Sequence, residues 1–361
     1  MMGKLSEPIP AQLESLLESF CSGERVALAR AISVIEDKRP GFEAFLHRVL
    51  QFGPRAKRLG LTGPPGAGKS SLIATLSTLA RSREERVGIV AVDPTSPYSG
   101  GALLGDRIRM NDVATDSGIF IRSMATRGSL GGLAITSKEV IDLMDAFGMG
   151  RLMVETVGIG QTELEITGAV DTVIVVLVPE SGDGIQAMKA GMMEIADIFV
   201  VNKADRPGAD RLVKDLQVAV NLRKAKPYSD EPAHHGVDYS RVGVDGPTNR
   251  DPELMETTSW TIPVLKTVAQ SGEGVEELLA AVDRHHTFLD TSGELFERRR
   301  ARAAVRVREV ADRELCGVLW QSERTTALLE AGLDLIETGD ATPYSVSSSI
   351  LTELFASTGR T

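Results

Sequence analysis

The sequence predicts an α/β fold, a mostly parallel sheet with helices on both faces and helical extensions at its two ends. Three observations carry this. Short apolar runs alternate with helical stretches of ten or more residues, the pattern of repeated strand–helix units. A glycine-rich loop, Gly63-Pro-Pro-Gly-Ala-Gly-Lys69-Ser70, follows one such run and opens a helical stretch. Apolar residues at helical spacing flank the alternating region on either side.

Residues 11–52 read as helices. Leu13, Leu16, Leu17 and Phe20 recur at helical spacing, then Val26, Leu28, Ala29, Ile32 and Ile35, with breaks at Gly23 and Pro40-Gly41. Seven candidate strands follow: Arg58–Thr62, Val87–Val92, Ile119–Ser123, Leu152–Thr156, Thr172–Val178, Ile198–Val201 and Ile262–Thr267. Residues 227–252 are polar, with Pro, Gly, Asp and two His, and read as an exposed insertion or flexible loop. From Glu294 the pattern is helical again, over Leu295–Leu319 and Ala327–Glu337, with a last short helix after a break at Gly339–Pro343. The expected organisation is an N-terminal helical extension over 1–55, an α/β domain over 56–290 and a C-terminal helical region over 291–361. Helical faces outside a completed α/β core need burial, and a symmetric dimer is the commonest solution.

Composition excludes several functions. Forty basic against fifty acidic residues leave a net charge of −10, which argues against nucleic acid or a membrane surface as the main partner. The two cysteines, Cys21 and Cys316, form no disulfide framework or zinc spacing and suit a reducing cytoplasm. No apolar run reaches about 18 residues and the first ten residues hold no apolar signal segment, so neither a membrane span nor secretion is expected.

The loop after the first strand fits GxxxxGKS, a P-loop, in the required strand–helix context. Its glycines let successive N–H groups turn toward phosphate oxygens, and the helix N-terminus adds its positive end. Candidate nucleotide contacts are Thr62, Gly63, Pro64, Pro65, Gly66, Ala67, Gly68, Lys69, Ser70 and Ser71. Lys69 brings positive charge to the β and γ phosphates, as a catalytic group, and the Ser70 hydroxyl can ligate Mg²⁺.

Asn202-Lys203-Ala204-Asp205 ends an apolar strand and fits NKxD. A carboxylate at Asp205 accepts from guanine N1–H and N2–H together, and adenine has no such donor pair. The later loop Val268-Ala269-Gln270 adds a backbone N–H, that of Ala269, for guanine O6. Val268 stands where GTP-binding proteins often carry serine, so a hydroxyl contact is lost there. GTP or GDP is thus the expected nucleotide.

Glu155-Thr-Val-Gly158 occupies the place of DxxG, in which the acid holds Mg²⁺ through water and the glycine N–H meets the γ-phosphate. Gln161 is either a water-positioning residue or a solvated loop glutamine. Asp93 and Asp106 are further hard oxygen ligands for Mg²⁺, or else turn and cap residues. Arg107 and Arg109 either stabilise phosphate charge or are solvated. The run Arg298–Arg300 with Arg302, Arg306 and Arg308 is interleaved with Glu294, Glu297, Glu309 and Asp312. It reads as a salt-bridged helix face rather than a nucleic-acid patch.

Longer strings narrow the reading: Ser22-Gly-Glu-Arg-Val-Ala-Leu-Ala-Arg-Ala-Ile, Val92-Asp-Pro-Thr-Ser-Pro-Tyr-Ser-Gly-Gly-Ala-Leu-Leu-Gly-Asp-Arg-Ile-Arg-Met, Gly128-Ser-Leu-Gly-Gly, Glu155-Thr-Val-Gly-Ile-Gly-Gln-Thr-Glu and Pro179-Glu-Ser-Gly-Asp-Gly-Ile-Gln. With the P-loop and NKxD, these resemble the MeaB/ArgK family of P-loop GTPases, close to the metallochaperone G3E and signal-recognition (SIMIBI-type) GTPases. The resemblance covers roughly residues 12–345. It implies a slow, Mg²⁺-dependent GTPase that acts as chaperone to an adenosylcobalamin-dependent acyl-CoA mutase, chiefly methylmalonyl-CoA mutase, gating cofactor loading and protecting or reactivating the enzyme. It also implies a homodimer, with 291–361 as dimerisation region, and a partner-sensing loop at Pro179–Met192. Departures are Pro64-Pro65, Val268 and the 227–252 insertion. An older family label, a kinase tied to basic amino-acid transport, is the runner-up, and Asp205 argues against its ATP. A metal-insertion GTPase is disfavoured by missing Cys and His ligands.

Overall fold

The computed structural model describes residues 9–51, 53–93, 111–125, 135–156, 165–181, 190–225 and 259–357. Three helices come first, α1 (Ala11–Cys21), α2 (Arg25–Glu36) and α3 (Phe42–Leu50). The α/β region follows as β1 (Lys57–Thr62), α4 (Lys69–Ser82), β2 (Val87–Asp93), α5 (Asn111–Ala114), β3 (Ile119–Ala125), α6 (Ile135–Ala146), β4 (Arg151–Thr156), β5 (Thr172–Leu177), α7 (Ala190–Ile195), β6 (Ile198–Asn202), α8 (Ala209–Ala225), β7 (Val264–Thr267) and α9 (Val275–Ser292). The last helices are α10 (Glu294–Trp320), α11 (Glu323–Thr338) and α12 (Pro343–Ser357).

All seven expected strands are present, in the order β3-β2-β4-β1-β5-β6-β7. Every pairing among them is parallel. Strand β7 starts two residues later than the apolar run suggests. Pro263 has no N–H to give the ladder, and its carbonyl accepts from Phe199 N (2.9 Å) just before regular pairing begins.

Parallel strands buried on both faces still sort their side chains by a period of two. On β5, Ile174 and Val176 join Leu59, Leu61, Leu72, Ile73 and Leu278 under α4 and α9. Val173, Val175 and Leu177 point the other way, into a layer with Phe199, Val140 and Ile141. The N-terminal helices belong to that second layer. Phe20, Leu28, Ile32 and Phe45 are buried in it, and the Phe20 and Phe147 rings meet at 5.0 Å. The first extension therefore buries these side chains against the α/β core itself.

The chain divides into two compact units, Met1–Arg302 and Ala303–Thr361. Within the second, α11 packs on α12, and Leu315, Val318, Trp320, Tyr344 and Phe355 remain exposed. No described helix is long and apolar enough to cross a membrane.

Charge collects at the amino ends of the strands. Arg58, at the start of β1, donates to Asp145 Oδ2 (2.7 and 3.1 Å) and Asp142 Oδ1 (2.8 Å). Asp171, just before β5, has a fully buried side chain. It accepts from Arg299 (2.7 Å) and Arg302 (2.5 Å), while Arg298 reaches the Asp171 carbonyl (3.0 Å) and Asp197 (3.3 Å). Burial pushes the Asp171 carboxyl up, but Arg302 and Arg299 outweigh it and hold the group well below the usual carboxylate range. Arg298, Arg299, Arg302 and Arg306 of the arginine run are thus ion-paired, the first three with principal partners other than the interleaved acids. Of the acids interleaved with it, Glu294 and Glu309 pair with Arg298 (3.4 Å) and Arg306 (3.5 Å). The short, buried pairs go to carboxylates more than 100 residues away.

Candidate functional site

Strand β1 lies between β4 and β5, with Leu61 opposite Glu155 and Thr62 opposite Val175. The loop that leaves β1 therefore starts between the carboxyl ends of two neighbours, where open parallel sheets place their ligands. Gly63 crosses the end of β5 at φ 135°, and a Cβ there would sit 2.1 Å from the Val176 carbonyl oxygen. Gly68 has φ 85°, and a Cβ would meet Asn202 Nδ2 at 2.4 Å. Only glycine leaves room at either place.

Through that second gap Asn202 donates to the Ala67 carbonyl (2.8 Å). Its Oδ1 accepts from Thr267 Oγ1 and from Ala269 N, both at 3.1 Å. One side chain at the end of β6 thereby joins the phosphate loop to the loop after β7. Lys203 takes left-handed backbone (φ 56°) and its Nζ donates to the Gly66 carbonyl (2.8 Å). Asp205 is exposed in the turn that follows. The Ala269 N–H, expected to meet guanine O6, is donated here to Asn202 Oδ1. Val268 bridges to Glu273 and Gln270 is exposed.

Lys69 and Ser70 begin α4 and are almost wholly buried. Lys69 Nζ folds back over the loop and donates to the Gly63 (2.9 Å) and Pro64 (3.2 Å) carbonyls. Ser70 Oγ donates to Glu155 Oε1 (2.8 Å). A hydroxyl and a carboxylate at the head of α4 are hard oxygen donors that fit Mg²⁺. Thr62 is buried with its hydroxyl accepting from Thr156 Oγ1 (3.1 Å), a bond that joins the ends of β1 and β4. Pro65 and Gly66 are exposed, and Pro64 and Ser71 half-buried. Asp93 ends β2, but its side chain, like Asp106, Arg107, Arg109, Gly158, Gln161 and the 227–252 insertion, lies outside the described residues. So does most of Pro179–Met192, except that Glu180 pairs with Arg206 beside the Asn202 loop.

Lys69→Ala is expected to weaken GTP binding at least tenfold, about 1.4 kcal/mol, and turnover is expected to fall with it. The amine is already held by two loop carbonyls at the place where phosphates would come. Calorimetry and phosphate release on the purified variant test this, and unchanged affinity and rate would remove Lys69 from the site.

Sequence reasoning overlooked Thr156 and Thr75. Thr75 Oγ1 donates to the Ala269 carbonyl (2.9 Å), and the two residues are 194 positions apart. Neither threonine stands in a motif position that marks such a partner.

Comparison with known proteins places this geometry among relatives. Residues 28–324 match the family model described as "Methylmalonyl Co-A mutase-associated GTPase MeaB". A protein of Pyrococcus horikoshii that carries a GTPase name is 39% identical over 343 residues, spanning 95% of this chain and 98% of its own. GTPase ArgK of Escherichia coli is 31% identical over 317 residues, 87% of this chain and 88% of its own. The mouse protein named methylmalonic aciduria type A homolog, mitochondrial, is also 31% identical, over 83% of this chain and 69% of its own. Among solved structures, one titled as a LAO/AO transport system kinase superposes with a TM-score of 0.62 at 24% identity, covering 97% of this chain and 99% of its own, and so shares the fold. With the family model matched over residues 28–324 and relatives named as GTPases matched over most of their length, the chain belongs to the MeaB family of P-loop GTPases.

Proposed function

We propose that this GTPase is a nucleotide-switched chaperone of an adenosylcobalamin-dependent acyl-CoA mutase, with methylmalonyl-CoA mutase the foremost partner. The single observation that carries the switch is the direct Ser70–Glu155 contact at 2.8 Å. It links the phosphate loop to the start of the Glu155–Gly158 segment, so a change at the γ-phosphate reaches the chain leaving β4. The family description and the name of the mouse relative support the choice of partner.

In this reading GTP lies across the two loops, with Asp205 on guanine and Lys69 moved from the Gly63 and Pro64 carbonyls to the phosphates. Ser70 and Glu155 would hold Mg²⁺, with Asp93 and Asp106 as further ligands. The ion would neutralise charge on the β and γ oxygens. Gly158 N–H would meet the γ-phosphate and Gln161 would orient water. The exposed Leu315, Val318, Trp320 and Phe355 of the second unit support a homodimer. The free thiols Cys21 and Cys316 suit the cytoplasm.

The proposal expects a mutase to raise GTP hydrolysis on complex formation. Steady-state phosphate release with and without methylmalonyl-, isobutyryl- and ethylmalonyl-CoA mutases measures this. Absence of both stimulation and complex with all three would reject the partner assignment while leaving the GTPase intact.

A further inference from the structure

Ala269 is held by both of its backbone groups. Its N–H goes to Asn202 Oδ1 (3.1 Å) and its carbonyl accepts from Thr75 Oγ1 (2.9 Å). Asn202 stands at the end of β6 and Thr75 on α4, the helix that opens with Lys69 and Ser70. Ala269 itself is buried, and Gln270 beside it is exposed. The loop also closes on itself, with Ser271 N (3.1 Å) and Gly272 N (2.9 Å) donating to the Val268 carbonyl.

From this bracket we infer that Thr75 is a positioning residue for guanine recognition, tying the base loop to the phosphate-binding helix so that the two halves of the nucleotide site keep a fixed separation. The inference rests on the reading of 268–270 as the base loop. A nucleotide that bridges two subsites binds best when their spacing is set in advance, because it then orders nothing on arrival. Asn202 alone ties the base loop to the Ala67 carbonyl, at the tip of the phosphate loop. Thr75 adds a second attachment more than a turn further along α4, and two attachments oppose rotation where one does not. The hydroxyl has one proton and two acceptors, since the Ser71 carbonyl lies at 3.1 Å. The Ala269 bond is the shorter and the one that spans elements.

Thr75→Val keeps the branched shape and removes the donor. Loss of one such bond is expected to weaken GTP and GDP alike by about fivefold, about 1 kcal/mol. Binding of Mg²⁺-triphosphate, which has no base, should stay unchanged, so the GTP-to-ATP affinity ratio falls. Thr75→Ser should restore wild-type affinity. Thr75→Ala, which favours the helix, repeats the measurement if the valine variant folds poorly, with melting temperature recorded for each. Unchanged GTP and GDP affinity in a folded variant overturns the inference, and so does an equal loss for GTP and triphosphate or a failure of serine to rescue. A wild-type protein that binds ATP as well as GTP would instead overturn the guanine reading, and that result needs no Thr75 variant.

Discussion

Asp171→Ala should cost the protein about 3–5 kcal/mol of stability, the range for breaking a buried ion pair from one side. The carboxylate has no exposed side-chain surface and answers two arginines, Arg299 at 2.7 Å and Arg302 at 2.5 Å. Alanine would leave two largely buried guanidinium groups without their shared carboxylate. It would also strip the Arg58 N–H of its Oδ2 acceptor (3.3 Å). Urea unfolding with an unchanged m-value would report this as a lower midpoint. Asp171→Asn should fall between, since it keeps acceptor oxygen but not charge. An unfolding curve that does not move would mean that the arginines find other partners. The carboxyl's folded pKa lies below its unfolded value of about 3.9. Its stabilisation is therefore whole above that pH and disappears as pH falls through the folded value. The wild type should lose stability in acid more steeply than Asp171→Asn.

A preference of at least a hundredfold for GTP over ATP, about 2.7 kcal/mol, is expected from Asp205. Its carboxylate would accept from guanine N1–H and N2–H, and charged acceptors make bonds roughly twice as strong as neutral ones. Adenine would cover the same charge without pairing it. Asp205→Asn keeps one acceptor oxygen and adds an NH₂ donor, which matches the second carbonyl that xanthine carries in place of guanine's amino group. The variant should lose GTP affinity and gain XTP affinity. Competition among GTP, ATP and XTP on both proteins decides it. Equal binding of ATP and GTP by the wild type would end the guanine reading.

Local signals carried the strands, because each apolar run needs burial wherever its neighbours lie. The same holds for Gly63, Gly68 and Asn202, whose motif spacing encodes a turn and a crossing. Their glycines proved to be demanded by Val176 and Asn202, contacts no spacing names. What the sequence could not announce were pairings made by the sheet order. Arg299 and Asp171 are 128 residues apart, and charge patterning along one helix points to nearer glutamates. Ala269 is a similar case. A motif marks its N–H as available, and the fold gives that hydrogen to Asn202.

The burial of Phe20, Leu28, Ile32 and Phe45 beside α6 also has a kinetic meaning. Val140, Ile141 and Phe147, against which these side chains rest, are synthesised about 100 residues after them. At about 5–20 residues per second, that is on the order of 5–20 s. Through that interval the first three helices have one another to pack on but not α6, and short isolated helices are marginal in water. Their final packing therefore waits for α6 to be made.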